Sequence, residues 1–566
     1  LAKINRAQAT QFSKWTAPLE TEAQASWLKM LSPADIMISF NREEPADNEV
    51  AKEALWALLQ RKGRFLELRA AEQRLANAKP DLFRRWRLAK QLSDLCTRNS
   101  FSNSLRYETG TLPQCLGTPE DRHRAVDQAG RDLLHAAPKM KVDFGTIEFS
   151  DLQGGMKNAD SILIEIAQYR LVRPDRGLED PGAESCYATY VLFPDGRVAF
   201  RDLGSSRRVD DALDKLRKLA SDESSNLSAV REASKRLYAI TLGQLEDLLE
   251  GHRKIYIGSD GDLGLLDFSL LVDNQGRWLI ENKLIVNLTS GRDLARLGAG
   301  MHTRQRIGPD YLVTNPSFLF KRRPYREDKA VETGASALGK TIPCRFAFDN
   351  TAKWSRIGLS PRRVEGFNSA LPGLIVLDRD QATESSVKQI RSPRTLWFIT
   401  HGFFCEDSTT KSEGAGDQRQ NWEDPMLRGA LVLAGAQVGG AGDGEDGLLQ
   451  SSEIIERNWA GTELVVLGAC ETALGVPHVG DGVYGMRRAL TLAGVRSQVM
   501  TLWQVGQAPT FEVLQRFADL LHTGKDKAEA LREAQVQMLR KKEHPYYWAG
   551  FYFIGDPSPL STATRT

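Results

Sequence analysis

The chain has 566 residues, with 75 Lys and Arg against 73 Asp and Glu, and a formal net charge of +2. This length predicts several domains, and the balanced charge argues against nucleic-acid binding driven by bulk electrostatics. The six cysteines lack CxxC spacing, which indicates reduced thiols in a cytoplasmic protein rather than zinc ligands. We recognise neither a membrane-spanning apolar run nor a signal peptide.

Residues 1–140 are predicted to form an all-α segment. Apolar residues recur at helical spacing over 51–60, 65–75 and 84–95. The stretch is rich in Arg, Lys, Ala and Leu and lacks the alternation typical of strands. An apolar stripe of this kind usually faces a core, so we interpret the segment as a packed helical region.

Residues 141–317 are predicted to form an α/β unit. Strands are expected at 161–167, 188–193 and 198–203, the last two joined by a turn at Pro194-Asp-Gly196. Helices are expected at 211–220 and 227–250, followed by a strand at 254–258. Strands that alternate with helices favour a layered α/β fold.

Residues 318–372 are basic and rich in turn formers, and are interpreted as a connector. Residues 373–566 form a second predicted α/β unit. Its strands are expected at 373–377, 394–400, 463–469, 496–503 and 548–554, with a helix over 482–493. Two further helices are predicted from apolar stripes, one through Phe511, Leu514, Phe517, Ala518 and Leu521 and one through Ala528, Leu531, Ala534 and Met538.

Two of these strands end on reactive side chains. Arg394-Thr-Leu-Trp-Phe-Ile-Thr leads to His401-Gly402, and Glu463-Leu-Val-Val-Leu-Gly-Ala leads to Cys470. Short apolar runs are typical of parallel strands buried on both faces, and ligands bind beyond the carboxyl ends of such strands. A base and a cysteine nucleophile at neighbouring strand ends can act as a pair. His401 and Cys470 are therefore a candidate dyad, although a cysteine that ends a buried strand is more often inert packing.

Rival residues for both roles are less well placed. Cys405 is near His401 in sequence but falls in a polar loop, and a nucleophile needs rigid placement. His478 and His544 each lie beside a proline and are interpreted as loop or helix-end histidines.

Glycine-rich matches are also present. Gly334-Ala-Ser-Ala-Leu-Gly-Lys-Thr341 has the spacing of a phosphate-binding loop, but a charged stretch precedes it and Pro343 follows it, so the required strand and helix are missing. GxGxxG matches at 442–447 and 480–485 are interpreted as turn glycines. No metal-ligand pattern stands out, and we expect neither a metal nor another cofactor.

From about Thr146 to Pro557 the chain resembles the CHAT domain, a caspase-like cysteine peptidase family related to caspases and separases. The resemblance is carried by motifs that occur in the family's order. They are Ile255-Tyr-Ile-Gly-Ser-Asp-Gly-Asp-Leu-Gly, Val313-Thr-Asn-Pro316, His401-Gly402, Leu464-Val-Val-Leu-Gly-Ala-Cys-Glu-Thr-Ala-Leu-Gly475, Gly494-Val-Arg-Ser-Gln-Val-Met-Thr-Leu-Trp-Gln-Val505 and Tyr547-Trp-Ala-Gly-Phe551.

The resemblance implies an α/β fold of caspase-like sheets flanked by helices. A pseudo-caspase half (141–317) and a connector (318–372) then precede an active half (373–566), after the all-α segment of residues 1–140. His401 would be the base, Cys470 the nucleophile, and the backbone N–H groups of Gly402 and Cys470 the oxyanion hole. Because the chain starts at Leu1 and such domains commonly follow TPR repeats, we expect repeats upstream.

The substrate pocket is less defined. Trp503 and Gln504 follow the strand after the nucleophile, where caspase-like enzymes often build a pocket wall. The loops at 435–447 and 478–482 carry Asp443, Glu445, Asp446 and Asp481, which suit a basic substrate residue or are simply solvated.

The resulting hypothesis is a cytoplasmic cysteine endopeptidase that cleaves a protein substrate and is activated by a protein partner at its helical or TPR region. By family analogy its role is in bacterial defence or cell death. Alternatives are an interaction scaffold with a caspase fold that does not cleave and a nucleotide-binding regulator. We expect no direct nucleic-acid or membrane partner.

Overall fold

A computed structural model gives the fold of this chain. It describes residues 33–62, 79–86, 88–89, 119–136, 147–156, 160–173, 183–298, 308–319, 354, 357, 359–404, 429–442, 444–468, 476–478 and 482–561. The chain forms two compact units, one of residues 1–33 and 64–146 and the other of residues 34–63 and 147–566.

Helices account for most of the described part of residues 1–140. They are α1 (Pro33–Glu43), α2 (Asn48–Arg61), residues 80–86 and 88–89, and α3 (Pro119–Ala136). The Asp47 carboxylate begins α2 by accepting hydrogen bonds from the backbone N–H groups of Glu49 and Val50 at 2.9 and 3.1 Å. The predicted all-α segment is thus confirmed for these residues. The helix predicted over 65–75, and most of the one over 84–95, lie outside the described residues.

The second unit contains the strands. They are β1 (Ser161–Arg170), β2 (Ser185–Leu192), β3 (Val198–Ser205), β4 (Lys254–Gly258), β5 (Leu284–Leu288), β6 (Tyr311–Thr314), β7 (Ile375–Asp378), β8 (Thr395–Ile399), β9 (His401–Phe404), β10 (Gly429–Val432), β11 (Leu448–Gln450), β12 (Leu464–Leu467), β13 (Val476–His478), β14 (Gly482–Tyr484), β15 (Ser497–Thr501) and β16 (Phe551–Gly555). Eleven of them form one sheet in the order β3-β2-β1-β4-β5-β16-β15-β12-β8-β6-β7.

The direction of the strands reverses in the middle of this sheet. β1, β4, β5 and β16 are parallel to one another, and β16 is antiparallel to β15. From β15 onward, β12, β8, β6 and β7 again run parallel. The carboxyl ends of the two parallel sets therefore open on opposite edges of the sheet. The Asn287 side chain supports the join between the two sets by donating to the Phe553 carbonyl at 3.0 Å.

Helices flank the sheet. They are α4 (Phe149–Gly155), α5 (Ser206–Ala220), α6 (Leu227–Ile240), α7 (Glu246–Leu249), α8 (Leu279–Asn282), α9 (Gly291–Gly298), α10 (Pro361–Ala370), α11 (Glu384–Gln389), α12 (Ser451–Ile455), α13 (Met486–Leu492), α14 (Gln507–His522) and α15 (Lys527–Lys541). The two apolar stripes predicted near the C-terminus are buried on α14 and α15. The α/β class with flanking helices is confirmed. In the part of the chain that the structure describes, no helix is long and apolar enough to cross a membrane.

Several short elements differ from the predictions. The helix expected over 482–493 starts only at Met486, because residues 482–484 form β14, which pairs with β13. The helix expected over 227–250 ends at Ile240, and a 3-10 turn follows Thr241. Seven strands, β5, β6, β9–β11, β13 and β14, were not predicted. β6, which the predicted division places in the first half, pairs with β7 and β8. The boundaries at 317 and 372 stay predictions.

A buried ion pair fastens α2 to the sheet. The Lys62 ammonium lies 2.6 Å from a Glu165 carboxylate oxygen, and both side chains are fully buried. Lys62 also donates to the backbone carbonyls of Ile166 and Gly258 at 2.9 and 3.0 Å, and Glu165 accepts from the Gly291 N–H at 2.6 Å. A buried charge is tolerated only when its hydrogen-bonding capacity is met in this way. These contacts therefore hold the end of α2, which belongs to the second unit, against the sheet.

A second buried ion pair joins the amino ends of two parallel strands. Two nitrogens of the Arg394 guanidinium donate hydrogen bonds to the Asp310 carboxylate, Nε at 3.0 Å. The Thr395 hydroxyl donates to the same carboxylate at 2.8 Å. The Arg394 carbonyl accepts from the Glu463 N–H at 2.9 Å. Asp310, Arg394 and Glu463 directly precede β6, β8 and β12, so this cluster fixes where each strand starts.

We predict that Arg394→Met lowers the free energy of unfolding by about 3 kcal/mol, because it leaves the Asp310 carboxylate buried and unpaired. The shift in the urea midpoint measures this loss. The double variant Arg394→Met/Asp310→Leu should recover most of it, since it buries no charge.

Arg391→Met is the matched control. Arg391 is exposed, and its guanidinium reaches the Lys388 carbonyl at 3.4 Å. Its loss should change stability by less than about 0.5 kcal/mol. A wild-type urea midpoint for the single Arg394 variant would show that the ion pair does not hold the strands.

Candidate active site

His401 lies where the chain leaves the central sheet. β8 is buried along its whole length, as expected of an apolar strand between two parallel neighbours. After Thr400, whose hydroxyl donates to the Val432 carbonyl, His401 begins β9 and pairs with Val432 in a separate three-stranded sheet. The His401 residue is half-buried. Its backbone is thus fixed from two sides, by the end of β8 and by β10.

Two aromatic rings contact the imidazole of His401. The ring centroid of Trp354 lies 5.3 Å away at an interplanar angle of 39°, and that of Phe318 lies 5.7 Å away at 40°. Trp354 also stacks on Phe403, two residues along β9, at 5.8 Å and 18°. Neither aromatic residue is among those predicted for the site. Trp354 lies in the predicted connector, and only the folded chain brings it to His401.

Gly402 follows His401 in β9 and is buried opposite Leu431. Its backbone is held in the β9–β10 pairing, so its N–H has a fixed direction. The oxyanion role implied by the family resemblance stays a prediction.

β12 runs beside β8 up to its carboxyl end. Leu467 pairs with Phe398, and the Gly468 N–H donates to the Phe398 carbonyl at 2.8 Å. A Cβ atom on Gly468 would lie 2.8 Å from Ile399 Cδ1 and 2.9 Å from Leu514 Cδ1, so the ends of these two side chains would have to shift to admit a side chain here. The last residue described on this strand end is Gly468.

Several predicted residues lie outside the described residues. They are Cys470, Asp481, Asp443, Cys405 and the whole of Gly334–Thr341. Their predicted roles therefore stay predictions.

Trp503 and Gln504 follow β15, the strand that pairs with β12 on the side away from β8. Trp503 is buried, and its indole N–H donates to the Tyr546 carbonyl at 3.1 Å. A Cβ atom on Gly550 would lie 3.2 Å from the indole nitrogen, so the ring is packed against backbone. Gln504 is exposed. Both residues lie beyond the same edge of the sheet as His401, but only Gln504 presents its side chain to solvent.

His544 and Cys186 have contacts of a structural kind. His544 starts a 3-10 turn, and its ring accepts from the Tyr546 N–H at 3.2 Å. The backbone of His478 ends the short strand β13 and does not lie in a loop or at a helix end. Cys186 is buried in β2, and burial raises the pKa of its thiol, which disfavours the reactive thiolate.

The described part of the 435–447 loop is folded back on the protein. Gly440 has a φ of 104°, and a Cβ there would lie 1.8 Å from the Glu445 carbonyl oxygen, so only glycine fits. The Gly447 N–H donates to Glu384 at 2.9 Å, and the Leu448 N–H donates to Asp446 at 2.8 Å. Asp446 is exposed and Glu445 is half-buried, so both alternatives for the acidic residues of this loop stay predictions.

A three-carboxylate cluster anchors this loop. Carboxylate oxygens of Glu384, Glu445 and Glu453 lie within 4.8 Å of one another, a spacing that would suit a metal ion. The Lys388 ammonium contacts all three, at 2.7, 2.6 and 2.7 Å. Burial raises the pKa of Glu384 to about 8. The Lys388 ammonium therefore supplies the positive charge that a metal ion would bring to these carboxylates. Its contact with Glu445 anchors the loop.

Comparison with known proteins gives one family and several structural likenesses. The Arg-specific cysteine proteinase gingipain R (RgpB) is 11% identical, with a TM-score of 0.33 over 62% of this chain and 74% of that chain. The complex of the pro- and mature domains of Porphyromonas gingivalis RgpB is 10% identical, with a TM-score of 0.32 over 62% of this chain and 77% of that chain. A Saccharomyces cerevisiae separase–securin complex is 11% identical, with a TM-score of 0.39 over 95% of this chain and 40% of that chain. No curated protein matches the chain.

The family model described as the CHAT domain matches residues 231–556, which is more than half of the chain. The resemblance seen in the sequence motifs is thereby confirmed. This chain belongs to the CHAT domain family.

Proposed function

We propose that this protein is a cysteine endopeptidase in which His401 and Cys470 form the catalytic dyad. The supporting observation is the register of two parallel strands. Leu467 of β12 pairs with Phe398 of β8. By sequence count, His401 lies three residues beyond Phe398 and Cys470 three residues beyond Leu467. Side chains that follow neighbouring parallel strands by the same number of residues share one edge of the sheet, where α/β proteins bind their ligands.

The chemistry needs only these two side chains and backbone donors. His401 takes the proton from the Cys470 thiol, and the thiolate attacks the scissile carbonyl carbon. The backbone N–H groups of Gly402 and Cys470 stabilise the negative charge that develops on the carbonyl oxygen. His401 then gives the proton to the leaving amine as the C–N bond breaks. Water hydrolyses the acyl-enzyme, which releases the new carboxylate and restores the thiol. No metal or other cofactor takes part.

The proposal extends to the substrate and to control of the site. Trp503, Gln504 and Asp481 contribute to the pocket for the substrate side chain, and the substrate is a protein. A protein partner that binds the helical or TPR region activates the enzyme by shifting a population of inactive conformers. We place this activity in the cytoplasm and in bacterial defence or cell death, on the strength of family membership alone.

The first prediction concerns Cys470. Cys470→Ala should abolish cleavage while leaving the urea midpoint unchanged, because it removes the nucleophile and little else. Mass spectrometry of new protein N-termini in cells that express wild type or variant measures the loss. His401→Gln should abolish cleavage as well.

Cys405→Ala is the matched control, since Cys405 is the cysteine nearest to His401 in the sequence. It should cleave at the wild-type rate. If Cys470→Ala cleaves as fast as wild type, the dyad is wrong. If wild type shows neither cleavage nor Cys470-dependent labelling by a thiol-directed peptide probe, the scaffold alternative is favoured.

The second prediction concerns the substrate pocket. Two of the four acidic loop residues are already engaged, Glu445 by Lys388 and Asp446 by the Leu448 N–H. A preference for Arg or Lys at the cleaved position should then depend on Asp481 rather than on Glu445. Asp481→Asn should lower cleavage after basic residues by about tenfold or more, equivalent to at least ~1.4 kcal/mol. A panel of peptides varied at this position measures the effect.

Glu445→Gln is the control for Asp481 and should leave the preference for the cleaved residue unchanged. An apolar preference in the wild type, or an equal effect of the two variants, would contradict the acidic pocket.

A further inference from the structure

The aromatic contacts of His401 have a specific structural origin. Phe318 follows β6 by four residues, is 5% exposed, and belongs to an apolar cluster with Ala430, Val432, Ala436 and Leu448. Trp354 packs against the same cluster from the other end of the long segment between β6 and α10. The two rings therefore reach the imidazole from chain segments far apart in sequence, and neither belongs to β8 or β9.

Backbone hydrogen bonds hold the Phe318 segment in place. The Ser317 carbonyl accepts from the Gly435 N–H, and the Phe318 carbonyl accepts from the Gln437 N–H, both at 3.0 Å. Gly435 has a φ of 88° and directly precedes the 3-10 turn that packs under Phe318. The position of this ring is thus set by the same folded loop that Glu384 and Lys388 anchor.

Asn315 ties both aromatic segments together. It adopts a left-handed backbone conformation with a φ of 48°, which asparagine tolerates better than most residues. Its side-chain oxygen accepts from the Leu359 N–H at 2.6 Å, and its amide nitrogen donates to the Leu359 carbonyl at 3.2 Å and to Asp378 at 2.8 Å. Leu359 lies five residues after Trp354, and Asn315 three residues before Phe318. One amide therefore sets the relative positions of the two segments and the end of β7.

We propose that Phe318 and Trp354 are positioning residues that hold the His401 imidazole in one orientation. The effect of this restraint on catalysis rests on the proposed His401–Cys470 dyad. The restraint of the imidazole by the two rings does not depend on the dyad. The backbone of His401 is fixed by β8 and β10, so the remaining freedom lies in the two side-chain torsions. Two rings within 6 Å limit those torsions through van der Waals contact.

The restraint is tested in a protein that cannot cleave. The Cys470→Ala protein is labelled with ¹³C-histidine and studied by NMR. The ring signal of His401 is identified among those of the eight histidines by its loss in His401→Gln. Trp354→Ala and Phe318→Ala should each move this signal and broaden it, because a neighbouring ring current is lost and the imidazole samples more orientations. Trp354→Phe should restore a narrow signal. A His401 signal with unchanged position and width in both alanine variants would overturn the proposal.

The kinetic consequence is tested in the active protein. Trp354→Ala should lower kcat by about tenfold to hundredfold with KM within about twofold, since misplacement of a catalytic group costs rate rather than binding. Trp354→Phe should recover most of the loss. An unchanged kcat in Trp354→Ala, or a loss confined to KM, would overturn the positioning role.

Leu448→Ala is the matched control, because Leu448 is buried in the same apolar cluster without a ring contact to His401. It should reduce stability while keeping kcat and the His401 signal near wild type. An equal fall of kcat in Leu448→Ala and Trp354→Ala would reduce the effect to lost stability and overturn the proposal. Failure of the dyad is recognised separately, by cleavage that persists in Cys470→Ala.

Discussion

The bidentate contact between Arg394 and Asp310 is the constraint on which the rest of the site depends. It lies at the amino ends of β6 and β8, and the Arg394 carbonyl continues the connection to β12 through the Glu463 N–H. A parallel strand cannot slip by one residue without turning its side chains to the other face. Fixing the start of each strand therefore also fixes which residues emerge at the far edge, where His401 follows β8.

The reversal of strand direction between β16 and β15 divides the sheet into two parallel sets. The carboxyl ends of β1, β4 and β5 face the edge away from His401. There, the buried Lys62–Glu165 pair and the end of α2 lie at the end of β4, because Glu165 pairs with Gly258, the last residue of β4. An internal ion pair therefore fills this strand end.

The sequence was most informative where a pattern is local. The strands β8 and β12 were predicted from short apolar runs, and the helices α14 and α15 from apolar stripes of helical period, because both patterns are local in the sequence. β9, β10 and β13 are three or four residues long, too short for a period to be recognised. The contacts of Trp354 and Phe318 with His401 depend on pairing between distant segments, and no local pattern encodes that. The Lys388 cluster was missed for the same reason.

The two ends of β8 constrain different degrees of freedom of His401. The ion pair at the amino end and the β9–β10 pairing at the carboxyl end fix the backbone, but neither reaches the imidazole. A general base must hold its ring nitrogen within hydrogen-bonding distance of the thiol, and backbone placement alone leaves that undetermined. The Phe318 and Trp354 rings, which come from outside the strand, contact the imidazole and limit its side-chain torsions. Phe318 and Trp354 are therefore as much a part of the proposed site as the strands that precede His401 and Cys470.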